Sequence, residues 1–333
     1  MKKVAIVGFG FMGMTHASHL LNLKGVKLNA IVDQDLKGID AKLASKTGNF
    51  STGGIDPKAL ARIQKFSSLG ECLEKSDIDA VHICVHTDLH AELASQAMKA
   101  GKHVFLEKPM TLDVQKGEAL ITLANKKGLL FMVGHVLRFM PSYRLLKRWI
   151  DSGEFGKLTF LSMTRFSGLP AWGQWKEKRR DFGSSGGALF DLLIHDIDFV
   201  NYLFGSPDTI ESRMMPGLLS NYDFIDAWWT YHAAGLKVKL EGGNVFQTGL
   251  PFQAGYIANF ENASIQFTTL FPDIIKIAEG ENLREVPASD GTDGFFNEIE
   301  YFHQCLHHGA APIECTPVSS LETIKLCYRH IEV

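Results

Sequence analysis

The chain carries almost no excess charge. Its 34 Lys and Arg against 37 Asp and Glu leave a formal net charge of −3 over 333 residues, so no basic surface invites nucleic acid or an anionic membrane. Long apolar runs are also missing, and none approaches the roughly 20 residues that span a bilayer. Cysteine is sparse: Cys72, Cys84, Cys305, Cys315 and Cys327 form no C-x-x-C pair. An odd, scattered set of this kind points to reduced thiols in a cytoplasmic protein. A first strand beginning at Val4 leaves no room for a signal peptide ahead of it. There is no internal repeat and no low-complexity segment. What remains, at 45% hydrophobic and 21% charged residues, is a globular chain long enough for two domains.

The N-terminus supplies the first positive signal. Val4 to Val7 is an apolar run suited to a buried parallel strand, and Gly8, Gly10 and Gly13 follow it as G-x-G-x-x-G. Met14 to Leu23 then reads as a helix. In such a turn Gly8 allows the tight bend, Gly10 lets the backbone approach a pyrophosphate, and Gly13 permits close helix–strand packing. Phe11 and Met12 lie at the helix start, whose N–H groups and positive dipole end face the phosphates. A second strand, Leu28 to Val32, ends at Asp33, 20 residues past Gly13. A carboxylate there accepts the adenosine ribose hydroxyls and repels a 2′-phosphate, which favours NAD over NADP.

The first third of the chain alternates strand and helix. Strands are expected at Ala80 to Val85, His103 to Leu106 and Leu129 to Val133, and helices at Leu89 to Ala100 and Val114 to Lys127; residues 45 to 66 fit a helix, a loop and a short strand. That alternation implies a doubly wound parallel sheet. After about His135 the grammar changes. A helix (Pro141 to Ser152), a strand (Leu158 to Phe166) and a long helix (Gly186 to Phe204) precede strand-like runs from Thr209 to Ile277, which read as an antiparallel meander, and then helices at Phe295 to His307 and Val318 to Ile331. The expected fold is α/β: an N-terminal Rossmann domain (1–134) with a parallel sheet, then an α+β domain (135–333) for substrate binding and oligomerisation. The second domain has a large, mainly antiparallel open sheet, and its last helix can pack back on the first domain.

Two short stretches carry the chemistry. One is Glu107-Lys108-Pro109. The other runs from Gly186 to His195 and sets Asp191 and His195 four residues apart in an apolar, helix-like segment, so both side chains leave one helical face. Histidine suits proton removal near neutrality, and a cationic Lys stabilises a developing alkoxide. Asp191, polar among apolar neighbours, requires a partner or a task.

These stretches, with the glycine turn, the Gly134…Arg138-Phe139…Pro141 segment and Gly186-Gly187-x-x-x-Asp191-x-x-x-His195-Asp196-x-Asp198, resemble the Gfo/Idh/MocA family of sugar and cyclitol oxidoreductases over nearly the whole chain. The resemblance implies hydride transfer between a nicotinamide and a carbon bearing a hydroxyl of a carbohydrate or cyclitol. Lys108 would contact the reacting hydroxyl, Asp191 would orient it, and His195 would be the general acid/base. NAD would meet Gly8, Gly10, Phe11, Met12, Gly13, Asp33, Val85, His86, His90, Glu107 and Lys108. Substrate would meet Lys108, His135, Arg165, Trp172, Asp191 and His195. Trp172, Gln174 and Trp175 suit a sugar ring face or a subunit contact. Two departures stand out. Val85-His86 replaces a frequent Thr-Pro, and Leu137-Arg138-Phe139 replaces Arg-Arg-Phe, which argues against a plain inositol substrate.

No metal is expected. His303, His307 and His308 have helical spacing, but no carboxylate or Cys pattern completes a site, and the family resembled places none at Asp191, His195 and Asp198. A redox-assisted glycosidase and a catalytically silent nucleotide sensor remain as alternatives. An open sheet with one uncovered face is expected to be hidden in a homodimer or homotetramer.

Overall fold

The computed structural model describes residues 1–39, 55–169 and 186–332. They form two compact units, Met1–His135 with Phe295–Leu321, and Val136–Gly294 with Glu322–Val333. Among the described residues no helix is long and apolar enough to cross a membrane.

The first unit is built on a six-stranded sheet of order β3-β2-β1-β4-β5-β6. Its strands are β1 (Lys2–Val7), β2 (Val26–Val32), β3 (Gln64–Phe66), β4 (Ala80–Ile83), β5 (His103–Glu107) and β6 (Phe131–Gly134), and every neighbouring pair is parallel. Successive residues of β4 and β6 are all buried, because parallel strands are covered on both faces and therefore read as continuous apolar runs. The strand order reverses between β1 and β4, and in sheets of this kind ligands bind there, outside the carboxyl ends of the strands.

The helices of this unit follow their local signals. Helix α1 (Phe11–Asn22) begins directly at Gly10, three residues earlier than expected, because the Gly10 carbonyl already accepts the Met14 N–H at 2.9 Å. Helices α2 (Pro57–Leu60) and α3 (Leu69–Lys75) flank β3; of the uncertain stretch at 45–66, residues 45–54 lie outside the described residues. A 3₁₀ turn (Thr87–Leu89) leads into α4 (His90–Lys99). Helix α5 spans Val114–Lys127, as its signals require: the Asp113 side chain accepts the Lys116 N–H at its start, and Gly128, at φ 62°, ends it.

The second unit holds α6 (Pro141–Ser152), α7 (Ile194–Phe204) and an eight-stranded sheet of order β14-β13-β12-β11-β7-β10-β9-β8. Its strands are β7 (Leu158–Gly168), β8 (Thr209–Met215), β9 (Phe224–Tyr231), β10 (Leu236–Phe246), β11 (Gln253–Phe260), β12 (Ser264–Thr268), β13 (Ile274–Glu279) and β14 (Asn282–Pro287). The expected meander is interrupted. The 11-residue β7 inserts at its middle, pairing parallel with β10 and antiparallel with β11, and β14 adds an edge beyond Ile277. One interior row crosses six strands in register: Trp229, Val238, Leu161, Ala258, Ile265 and Ile277, each with no exposed surface. The adjoining outward row contains Trp228, Lys239, Ser162, Ile257 and Gln266. Helix α8 (Gly294–His308) and helix α9 (Pro317–Ile331) close the chain.

Candidate active site

The glycine turn after β1 is sterically committed. A Cβ on Gly8 (φ 88°) would lie 2.5 Å from the Cys84 carbonyl oxygen, and one on Gly13 would lie 2.0 Å from the Gly8 carbonyl oxygen. A Cβ on exposed Gly10 would meet nothing within 4 Å, so the protein's own packing does not require glycine there. Space for a ligand's phosphates does. Helix α1 starts with no side-chain cap and no acidic residue in its first turn, which suits an anion; Phe11 and Met12, in that turn, are half-buried. Asp33 ends β2 beside the turn. Its Oδ2 accepts the Phe9 N–H and its Oδ1 accepts the Asp35 N–H, both at 2.8 Å. Bare helix start, open glycine and fixed carboxylate together fit a dinucleotide.

Two further turns stand at the carboxyl ends of β4 and β5. Val85 is half-buried and His86 exposed. His90 is buried, with Nδ1 2.7 Å from the Pro109 carbonyl oxygen and Nε2 3.1 Å from that of Val85. It therefore packs between the two turns, and as a neutral ring it donates its single N–H to one of these carbonyls. Burial pushes its pKa down. Glu107 is buried at the end of β5, while Lys108, after it, is partly exposed. His135, after β6, is buried.

In the second unit, Gly186 (φ 84°) and Gly187 (φ 67°) lead into a π-helical turn, Leu189–Leu193, ahead of α7. The expected helix from Gly186 is thus present to Phe204 but takes a π turn around Asp191. Hydrogen bonds in a π turn close five residues apart, and such insertions mark functional sites. Asp191, Leu192 and His195 stay partly exposed, whereas Ala188–Phe190, Leu193, Ile194 and residues 196–200 are buried. The other two acids are internal struts. Arg165 is 6% exposed, and its Nε and Nη2 donate to Asp196 at 2.6 and 3.1 Å, so this expected substrate contact is committed to an ion pair. Burial pushes the Asp196 carboxyl up and Arg165 pulls it down; two charge-assisted hydrogen bonds keep the pair ionised near neutrality. Arg138 likewise donates from Nε and Nη2 to Asp198 at 2.8 and 2.6 Å, and the Thr323 hydroxyl donates to the same carboxylate. Leu137 and Arg138 are both buried. Trp172, Gln174 and Trp175 lie outside the described residues.

A buried polar cluster in the first unit had no sequence signal. His16 Nε2 lies 2.8 Å from Glu107 Oε1, His16 Nδ1 lies 2.8 Å from His82 Nδ1, and His82 Nε2 lies 3.1 Å from His303 Nε2. Burial, then the neighbouring rings, push His82 well below the usual histidine value, and burial takes His303 down to about 3. Burial and the Glu107 and Glu298 charges push the nearby Cys84 thiol up.

Residues 2–135 match the family described as "Oxidoreductase family, NAD-binding Rossmann fold", and residues 143–244 match the "GFO/IDH/MocA C-terminal domain". The scyllo-inositol 2-dehydrogenase (NAD(+)) of Bacillus subtilis (strain 168) is 30% identical over 324 residues, covering 93% of this chain and 88% of that protein. The inositol 2-dehydrogenase of Rhizobium meliloti (strain 1021) is 25% identical over 320 residues, covering 92% and 89%. Two solved structures share the fold: levoglucosan dehydrogenase in complex with NADH and levoglucosan (TM-score 0.81, 18% identity, 99% and 96% covered), and UDP-N-acetylglucosamine 3-dehydrogenase from Acidithiobacillus ferrooxidans (TM-score 0.78, 22%, 99% and 96%). Both domains of one family thus occur in order along this sequence, and the chain belongs to the Gfo/Idh/MocA oxidoreductases, with an NAD-binding Rossmann fold over residues 2–135.

Proposed function

We propose that the protein is an NAD-dependent dehydrogenase of a secondary alcohol on a sugar, sugar derivative or cyclitol, with Lys108, Asp191 and His195 as its proton-transfer set. The observation that carries this reading is the partial exposure of Asp191 and His195, four residues apart on a largely buried helix that takes a π turn at Asp191. Two polar groups kept at a surface by local distortion call for a task there. The inositol dehydrogenase names of the relatives above support the substrate class.

NAD would be held by the glycine turn, the start of α1, Asp33 and the turn at Val85 and His86, and when bound it supplies the hydride acceptor. The chain's own residues handle the proton. A ring nitrogen of His195 takes the hydroxyl proton as the alcohol is oxidised and returns it in the reverse direction. The Lys108 ammonium holds the hydroxyl oxygen and stabilises developing negative charge. Asp191 fixes the orientation of this pair. Asp33 disfavours a 2′-phosphate by charge.

We also assign the outward face of the eight-stranded sheet, where Trp228 is 38% and Ile257 47% exposed, to a contact between copies of the chain. We also propose a cytoplasmic location, supported by five buried cysteines that form no disulfide among the described residues.

The test is steady-state kinetics over inositols, hexoses, nucleotide sugars and sugar acids, following NADH absorbance. His195→Ala should lower turnover on the best substrate by roughly 10²–10⁴-fold with NAD affinity unchanged by calorimetry. Near-normal turnover of that variant across neutral pH would show that another group moves the proton.

A further inference from the structure

Five ionisable side chains from four elements meet inside the first unit: His16 on α1, His82 on β4, Glu107 at the end of β5, and Glu298 and His303 on α8. Their exposures are 0%, 0%, 7%, 1% and 5%. An imidazole nitrogen of His16 and one carboxylate oxygen each from Glu107 and Glu298 lie within 4.8 Å of one another. Two buried carboxylates this close are costly unless a shared proton or a cation joins them.

The donor set favours a cation. One imidazole nitrogen with two carboxylate oxygens suits a first-row divalent ion such as Zn²⁺ or Mn²⁺. Ligand atoms 2.0–2.2 Å from one ion lie at most about 4.4 Å apart, so a small inward adjustment of these side chains supplies three ligands and leaves an open position on the ion. The second, independent observation is the support behind His16. Metal-bound imidazoles have their other ring nitrogen held by an outer partner that fixes tautomer and orientation. Here His82 holds His16 Nδ1, and His303 in turn holds His82 Nε2.

The chain of rings has two self-consistent polarities. In one, His303 Nε2–H donates to His82, His82 Nδ1–H donates to His16, and His16 Nε2–H donates to Glu107. In the other, His16 Nδ1–H donates to His82 and His82 Nε2–H donates to His303, which leaves the His16 Nε2 lone pair facing the carboxylates. All three rings are neutral in both. His303 lines a surface groove with Glu300 and His307.

We propose that His16, Glu107 and Glu298 form a buried site for one divalent first-row metal ion, with His82 and His303 orienting the imidazole. Such an ion would tie the helix that starts at the glycine turn to the strand that ends at Glu107, immediately before Lys108.

The test uses chelator-treated full-length protein titrated with Zn²⁺ or Mn²⁺ alone, and it requires no turnover. Calorimetry should show one ion per chain, and melting should rise by roughly 4 °C at metal a hundredfold above Kd. Glu298→Gln should weaken binding by more than about 100-fold, beyond the roughly 10–100-fold expected for the outer-partner change His82→Phe. The surface change His307→Ala with His308→Ala should leave affinity unaltered. X-ray absorption on the zinc-loaded unmodified protein should give nitrogen and oxygen ligands with one imidazole, a readout that stands even where Glu298→Gln misfolds. A cooperatively melting unmodified protein that binds neither ion overturns the proposal and leaves the shared proton as the compensator. A shell with sulfur or several imidazoles, or binding lost with His307 and His308, also overturns it.

Discussion

The two sheets bury their residues by different rules. In the parallel sheet Ala80, Val81, His82 and Ile83 are buried one after another. In the mixed sheet burial alternates: Trp229 has no exposed surface and Trp228, beside it, is 38% exposed. The difference decides where polar residues can sit. A strand covered on both faces has no wet side, so His82 must find its partners inside, in His16 and His303. A strand covered on one face can turn Lys239 and Ser162 outward against Trp228 and Ile257. Its interior row is apolar except for the indole N–H of Trp229, which donates to His330 Nε2 at 3.0 Å.

The largest expected effect tests that alternation. Trp229→Ala should cost about 3–5 kcal/mol, from the cavity and the lost transfer energy of a large ring, and it also removes the donor to His330. Trp228→Ala, at a ring 38% exposed, should cost less, about 1–2 kcal/mol. The parallel sheet should show no such contrast: Phe105→Ala and Leu106→Ala, neighbours on β5 and both without exposed surface, should each cost roughly 2–5 kcal/mol. Urea denaturation of the four variants measures this. Equal losses at Trp228 and Trp229 would mean that the mixed sheet is covered on both faces in solution.

An intermediate effect appears as pH dependence at the same interior row. Burial lowers His330 from the usual value near 6.5 to about 4. Its Nδ1–H donates to the Leu326 carbonyl at 2.8 Å and its Nε2 accepts from Trp229, so the folded state holds the neutral ring. The unfolded chain binds a proton at higher pH than the folded one. The stability from the neutral ring is therefore complete above about pH 6.5 and is lost as pH falls towards 4, at up to roughly 1.4 kcal/mol per pH unit. His330→Phe, which cannot titrate, should flatten that part of the curve. Thermal melts from neutral to mildly acidic pH compare the two, and superimposable slopes would remove His330 as the cause.

Much of this architecture was legible because its signals are local. Asp113 and Gly128 bracket α5, Pro141 opens α6 and Gly153 closes it, and the glycine turn with Asp33 reads directly as a nucleotide site. What was not legible depends on distance or on local distortion. Nothing between Gly186 and His195 distinguishes a π turn from an α-helix, because both bury the same apolar residues. The central place of β7 depends on pairings with strands some 75 to 100 residues later. Arg165 carried the charge of a substrate contact, and only the fold shows Asp196 taking it. The His16 cluster joins residues separated by 66, 91 and 221 positions, and no spacing rule links such distances. The sequence leads to no expected metal at the closely spaced His303, His307 and His308, and only the first belongs to the cluster.

The smallest effect on stability should come from the outward row, where the comparison is sharpest. Ile257 pairs with Ser162 on β7 and Gln266 on β12 and is 47% exposed. Ile257→Thr keeps β-branching, so the strand preference survives, and within a single chain it should change unfolding free energy by no more than about 0.5 kcal/mol. The interior neighbour gives the contrast: Ala258 has no exposed surface, and Ala258→Thr would force a hydroxyl into the packed row at a cost of roughly 1–3 kcal/mol. If the outward face is a contact between copies, Ile257→Thr combined with Trp228→Ser should shift the assembly towards monomer in light scattering while each chain keeps its fold by circular dichroism. An assembly of unchanged mass and affinity would place the subunit contact elsewhere and leave this face to water.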